Sequence, residues 1–249
     1  MELIAGFTAL QIAVALTAAL AAAFVRGLAG FGLAILLVPV LALALSPVEA
    51  VLVANFLGLF AGLTEIRWLA THAERSAWRI SLLVLLTTAP GLYMLSLTPA
   101  PLARLLIALV AMAAFAVMLL PRRGAAVPGG VNTLATGVSA GLLTGFAGMP
   151  GVPVVPYYVG RDIPRQVAKA SMVLIFTVAS FAGLCSGLAI GAMHWNLPLL
   201  ALALFPVVLV GNWLGAQTFG RVGDRAWRAF AATVLGAAAT AALVKLLQG

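Results

Sequence analysis

The chain has 249 residues, of which 64% are apolar and only 8% charged, and its formal net charge is +8. A water-soluble domain carries about 25% charged residues, so here polar side chains are too few to cover a water-facing surface and most of the exterior must face hydrocarbon. The basic excess does not mark a nucleic-acid binder: Lys and Arg occur in ones, twos and threes between apolar runs, without the clustered face that such binding needs.

A membrane-crossing helix requires about 20 mainly apolar residues. Runs between breakers predict an all-α polytopic membrane protein of about ten segments, at roughly 4–25, 31–45, 48–66, 79–97, 101–120, 131–147, 150–160, 165–190, 196–218 and 226–247. The first begins Met1-Glu2 without a basic leader and outruns the apolar core of a cleavable signal, so it reads as a membrane helix. The second is short and follows the glycine break Gly27-Leu28-Ala29-Gly30-Phe31-Gly32. The third opens with Glu49, carries Asn55 at depth, and ends near Glu65 and Arg67, which read as an interfacial ion pair. The seventh, also short, follows the break from Gly145 to Gly151; Pro150, Pro153 and Pro156 fit a broken or extended stretch held inside protein. The eighth holds Lys169, Ser171 and the lone Cys185, which reads as a small buried hydrophobe.

The charges test this count. Arg26; Arg67, Arg75 and Arg79; Arg122 and Arg123; Arg161, Arg165 and Lys169; and Arg221, Arg225 and Arg228 fall in alternate loops, twelve of the fourteen basic residues. Arg104 and Lys245 fall on the other side. Cytoplasmic loops are the Lys- and Arg-rich ones, so both termini are expected outside the cytoplasm. Fusing segments one with two and six with seven would even out the charge and lose this bias.

The chain also repeats itself. Gly30 matches Gly148 at an offset of 118, Pro47 and Trp78 match Pro164 and Trp195 at 117, Pro90 matches Pro206 at 116, and Arg104 matches Arg228 at 124. Residues 1–124 and 125–249 then form two units of five segments within one integral membrane domain. An odd number of crossings makes the units inverted. Inverted repeats recur in secondary transporters, which bind substrate near the midplane between them; a duplicated membrane scaffold or assembly subunit that transports nothing is the alternative.

The glycine breaks are the first candidate site. Helices starting at such breaks expose N–H groups and the positive end of a dipole, which suit an anion. Gly27, Gly30, Phe31 and Gly32 form one such set, and Gly145, Gly148, Met149 and Gly151 the other. The same glycines also suit tight helix packing. Arg26 either pairs with an anion or snorkels to the interface. Asn55 and Ser171 hold matching places in segments three and eight and would donate to a substrate oxygen or join helices. There is no metal spacing, phosphate loop or nucleophile with a base, so neither an enzyme nor a cofactor is expected.

The stretch VRGLAGFGLAILLVPVLALAL…SPVEAVLVANFLGL and its echo GLLTGFAGMPGVPVVPYYV…DIPRQVAKASMVL resemble the TauE/SafE sulfite-exporter family, over about residues 5–247. Its pattern is a glycine-rich break, a short apolar run to a proline, then a small-polar pair, here Ala54-Asn55 and Ala170-Ser171. Phe31 interrupts the first glycine cluster and Met149-Pro150 the second, where the family often has a longer one. The resemblance implies a secondary transporter in the bacterial inner membrane that exports a small organosulfur or related anion, such as sulfite or a sulfonate. Its partners would be that anion and the bilayer, with no nucleic acid. The coupling ion is left open, and so is assembly into a homo-oligomer.

Overall fold

A computed structural model of the chain describes residues 2–4, 6–29, 32–119, 129–159, 161–218 and 224–247. A small antiparallel hairpin, β1 (Glu2–Ile4) and β2 (Phe7–Thr8), comes first. Helices α1 (Ala9–Ala29), α2 (Leu33–Ala44), α3 (Pro47–Leu63), α4 (Ile66–His72), α5 (Arg75–Leu97) and α6 (Ala100–Leu119) follow. Then come α7 (Gly130–Ala147), α8 (Gly151–Val159), α9 (Arg165–Ala189), α10 (Asn196–Gln217) and α11 (Asp224–Leu247). The fold is that of an all-α polytopic membrane protein. Among the described residues α1, α5, α6, α9 and α10 are long and apolar enough to cross a bilayer, and α3 with α4 makes a sixth candidate bent by 74°. Leu82, Leu86, Met94, Leu202, Val210 and Trp213 point outward, an apolar exterior that only hydrocarbon accommodates.

Local signals set the ends. Thr8 and Gln11 bond reciprocally at the start of α1, so this helix begins at Ala9 and not near residue 4. Ser46 and Glu49 form a capping box at the start of α3, with Pro47 in its first turn. Glycines in the left-handed region, Gly32 (φ 101°) and Gly148 (φ 69°), occupy the two breaks. The stretch at Pro150–Pro156, expected to be broken or extended, is the short nine-residue helix α8, with Pro156 inside it. Pro150 precedes it, and Pro153 falls in its first turn, where a missing N–H costs little. Cys185 is exposed, not buried.

Both breaks are hairpin tips. Gln11 Nε2 at the start of α1 donates to the Ala44 carbonyl at the end of α2, at 2.8 Å. The Thr133 hydroxyl at the start of α7 lies 2.8 Å from the Tyr157 hydroxyl at the end of α8. At about 1.5 Å per residue, α2 runs about 18 Å and α8 about 13 Å, both short of a hydrocarbon core of about 30 Å.

Small residues bring the long helices together. A methyl at Gly27 would meet the backbone of α10 at Asn212, Gly215 and Ala216, and one at Gly211 or Gly215 would meet α1 near Phe24. Gly141 and Gly145 of α7 meet α5 at Thr87 and at Thr88–Leu92. Residue numbers rise together in both pairs, so α1 runs parallel to α10 and α5 to α7. In the α3–α9 pair they run opposite: Leu52 meets Gly187, Asn55 meets Gly183, Gly58 meets Ser180 and Gly62 meets Thr177. These two helices therefore cross antiparallel. A Gly145→Val variant forces a side chain into the backbone of α5, an overpacking worth about 1–3 kcal/mol. Its melting temperature in detergent should fall by several degrees, at about 2–4 °C per kcal/mol. Gly129→Val, where a Cβ meets nothing within 4 Å, should leave it unchanged.

Candidate functional site

The site is built around α2. A helix leaves its last four carbonyls without intrahelical donors, and here all four are satisfied. The N–H of Leu45 donates to Leu41 O at 2.7 Å. Arg104 Nε of α6 donates to Ala42 O at 2.6 Å, Lys245 Nζ of α11 to Leu43 O at 2.8 Å, and Gln11 of α1 to Ala44 O. Two of these donors are cations at the negative end of the helix dipole. The other end is the helix N-terminus. Gly32 caps it without a side-chain bond, and the first turn closes only with Leu36 N–H to Gly32 O at 3.4 Å. The N–H groups of Leu33, Ala34 and Ile35 therefore have no acceptor within the helix.

Those residues border a cavity with about 90 Å³ open to the centres of water-sized molecules. One water needs about 10–15 Å³ by that measure, so the space takes several waters or a small anion. Arg26 of α1 and Gly32–Ile35 form one wall; Gly148–Gly151 and Val155 face them. Helix α3 supplies Ala54, Asn55, Gly58 and Gly62, and α9 supplies Val173, Phe176, Thr177 and Ser180. The walls are mainly apolar, with few polar groups. Arg26 is half-buried, and among the described residues its guanidinium makes no hydrogen bond or ion pair. Asn55 is buried and its Nδ2 has no partner. Thr177 donates to Val173 O at 2.8 Å, leaving its oxygen lone pairs free.

The two breaks differ in donors. The N–H groups of Gly148 and Met149 are spent on Thr144 O and Leu143 O. Pro150 and Pro153 have none to give. The cavity's positive end is therefore at α2 and Arg26.

Of the residues expected from the sequence, Arg26, Gly32, Asn55, Gly148, Met149 and Gly151 line this cavity. Gly27 and Gly145 do not; they are helix-packing contacts. Ser171 does not either: its Oγ accepts the Glu74 N–H at 2.9 Å, just ahead of α5. Gly30 and Phe31, with the loop residues Arg122, Arg123 and Arg221, lie outside the described residues. The expected Glu65–Arg67 pair is replaced by Glu65 with Lys169, at 3.9 Å. Sequence reasoning missed Gly58, Gly62, Thr177 and Ser180. Val173, Phe176, Thr177 and Ser180 are spaced as one helix face, and that spacing could have found them.

Beside the cavity, Arg161 forms a bidentate pair with Glu74, at 2.9 Å for each bond, and stacks on Tyr157 and Tyr158. The Tyr158 hydroxyl lies 2.7 Å from that of Ser76. This ties the far end of α8 to the α4–α5 corner.

A polytopic helical membrane protein, with two helical hairpins meeting at an internal cavity lined by Arg26, Gly32 and Gly148, fits the class of membrane transport proteins. The model of one such family, described as sulfite exporter TauE/SafE, matches residues 15–242, and the chain belongs to that family. It is a family of transporters and not of enzymes, and it implies a small anionic substrate. No curated protein and no solved structure matches the chain.

Asn55 and Ser171 should separate experimentally. Asn55→Ala loses no Nδ2 bond and should change stability by less than about 1 kcal/mol. Ser171→Ala strips the Glu74 N–H of its acceptor and should cost about 1–3 kcal/mol. Denaturation of the purified variants in detergent would measure both.

Proposed function

We propose that the chain is a secondary transporter exporting a small organosulfur or related anion, sulfite or a sulfonate, across the bacterial inner membrane by alternating access. One observation carries the reading: Arg26, which makes no hydrogen bond or ion pair among the described residues, and the first turn of α2, whose N–H groups have no acceptor within the helix, line the same cavity. Charge and dipole both favour an anion there, and Asn55 Nδ2 supplies a neutral donor from α3. Gly32, Gly148, Met149 and Gly151 shape the space around it.

The reading includes ten membrane segments in two inverted units, 1–124 and 125–249. If α1 is equivalent to α7 and α5 to α10, the pair α1–α10 exchanges with α5–α7, and α3–α9 exchanges with itself. Parallel packing in the first two pairs and antiparallel packing in the third fit that equivalence. Were each hairpin a single crossing, α3 and α9 would run in the same direction. Arg104 and Lys245, the two basic residues on the poorer side, hold α2 carbonyls, so a structural need explains their position. Both termini are then periplasmic, and a reporter fused after Gly249 should be active only outside the cytoplasm; cytoplasmic activity would contradict the topology.

Flux tests the function. Purified protein in liposomes should move sulfite or a small sulfonate saturably. Arg26→Ala should lower kcat/KM roughly ten- to hundredfold, the worth of a hydrogen bond to a charged group, while Arg26→Lys keeps part of it. The absence of saturable flux for every small anion tested would overturn the proposal.

A further inference from the structure

We infer that Glu65, paired with Lys169 at one end of the cavity, sets the charge of the accepted anion and favours monoanions over dianions. This rests on the transporter reading above.

Gly62 of α3 and Val173 of α9 line the same end of the cavity. Glu65 lies three residues beyond Gly62, its N–H bonded to Gly62 O at 3.1 Å, and Lys169 lies four residues before Val173. Glu65 thus lies in the bend between α3 and α4, and Lys169 is one turn beyond the cavity on α9. Their side chains are 43% and 57% exposed, so they meet solvent as well as each other. Lys169 Nζ also lies 5.5 Å from the centre of the Trp68 ring, which helps to hold it there. Of the other carboxylates whose side chains are described, Glu49 caps α3, Glu74 holds Arg161, and Asp162 is exposed beyond α8.

A carboxylate is an unexpected neighbour for an anion site, since it repels the ligand. Discrimination by a repulsive group is a common route to specificity. Arg26 and Lys169 supply two positive charges and Glu65 one negative, leaving one net positive charge. A monoanion neutralises it. A dianion leaves an uncompensated negative charge among mainly apolar walls, which is costly. Sequence alone pairs Glu65 with Arg67 and hides this; the fold sets it against Lys169.

Methanesulfonate and sulfate test the idea. They are similar in size, and near neutral pH one is a monoanion and the other a dianion. The measurement is how well each inhibits saturable sulfite uptake by the whole protein in liposomes. In the native protein methanesulfonate should inhibit better. Glu65→Gln should shift the sulfate-to-methanesulfonate ratio of inhibition constants toward sulfate roughly tenfold, as expected for one unit charge removed at close range in a medium between protein and water. Lys169→Gln should shift it the other way, and it supplies an independent reading should Glu65→Gln not fold. Ratios unchanged in every variant that folds would overturn the inference, as would sulfite uptake that neither anion inhibits. Absence of saturable sulfite uptake in the native protein would instead count against the transporter reading itself.

Discussion

The structure depends on how a half-length helix is held in hydrocarbon. Away from water, an unsatisfied backbone group costs several kcal/mol, so α2 cannot simply stop short of the far side. Its last four carbonyls are taken by Leu45, Arg104, Lys245 and Gln11. These donors come from three other helices and the chain just past α2. Fixing that end points the other at Arg26 and the cavity. The two ends of α2 are therefore treated differently: the C-terminal carbonyls are satisfied by protein, and the N-terminal turn at Gly32 borders the cavity without a side-chain cap.

The crossing of α3 and α9 makes the room. Gly58 and Gly62 admit Ser180 and Thr177, and Gly183 and Gly187 admit Asn55 and Leu52. Such close approach is the usual basis of helix association in membranes, where apolar burial drives little. It also brings hydroxyl and amide groups to the cavity wall without a charged side chain at depth. Both the packing and the polarity of the wall follow from the same four glycines.

Much of this was legible in the sequence, for identifiable reasons. A charged fraction of 8% leaves hydrocarbon as the only workable surroundings. Glycine runs followed by short apolar stretches have few uses other than breaks, and Gly32 and Gly148 are indeed left-handed. A lone Arg26 beside such a break, and a lone Asn55 in an apolar helix, stand out because each is costly unless it has a role. Ser171 misled because it was chosen by a constant offset. Helices that cross antiparallel meet at positions whose numbers have a nearly constant sum, so the partners of α3 are Thr177, Ser180 and Gly183. The Pro150–Pro156 run misled because Pro150 precedes α8 and Pro153 falls in its first turn, where a missing N–H costs little, so that Pro156 alone stands inside the helix.

The remaining step concerns asymmetry. A duplicated scaffold invites a symmetric site, yet the chemistry around this cavity is one-sided. Arg26 corresponds under the proposed repeat to Thr144, whose hydroxyl is spent within its own helix on Ala140 O at 2.6 Å. The first turn of α2 has three N–H groups without an acceptor inside the helix, whereas α8 is depleted by Pro150 and Pro153 and by the bonds of Gly148 and Met149. An anion would therefore be held by the first hairpin and only bordered by the second. The second hairpin is in turn braced at its far end by Arg161, Glu74 and the two tyrosines. Under the proposed alternating access, a hairpin that holds the anion and one that is braced elsewhere would have different parts to play.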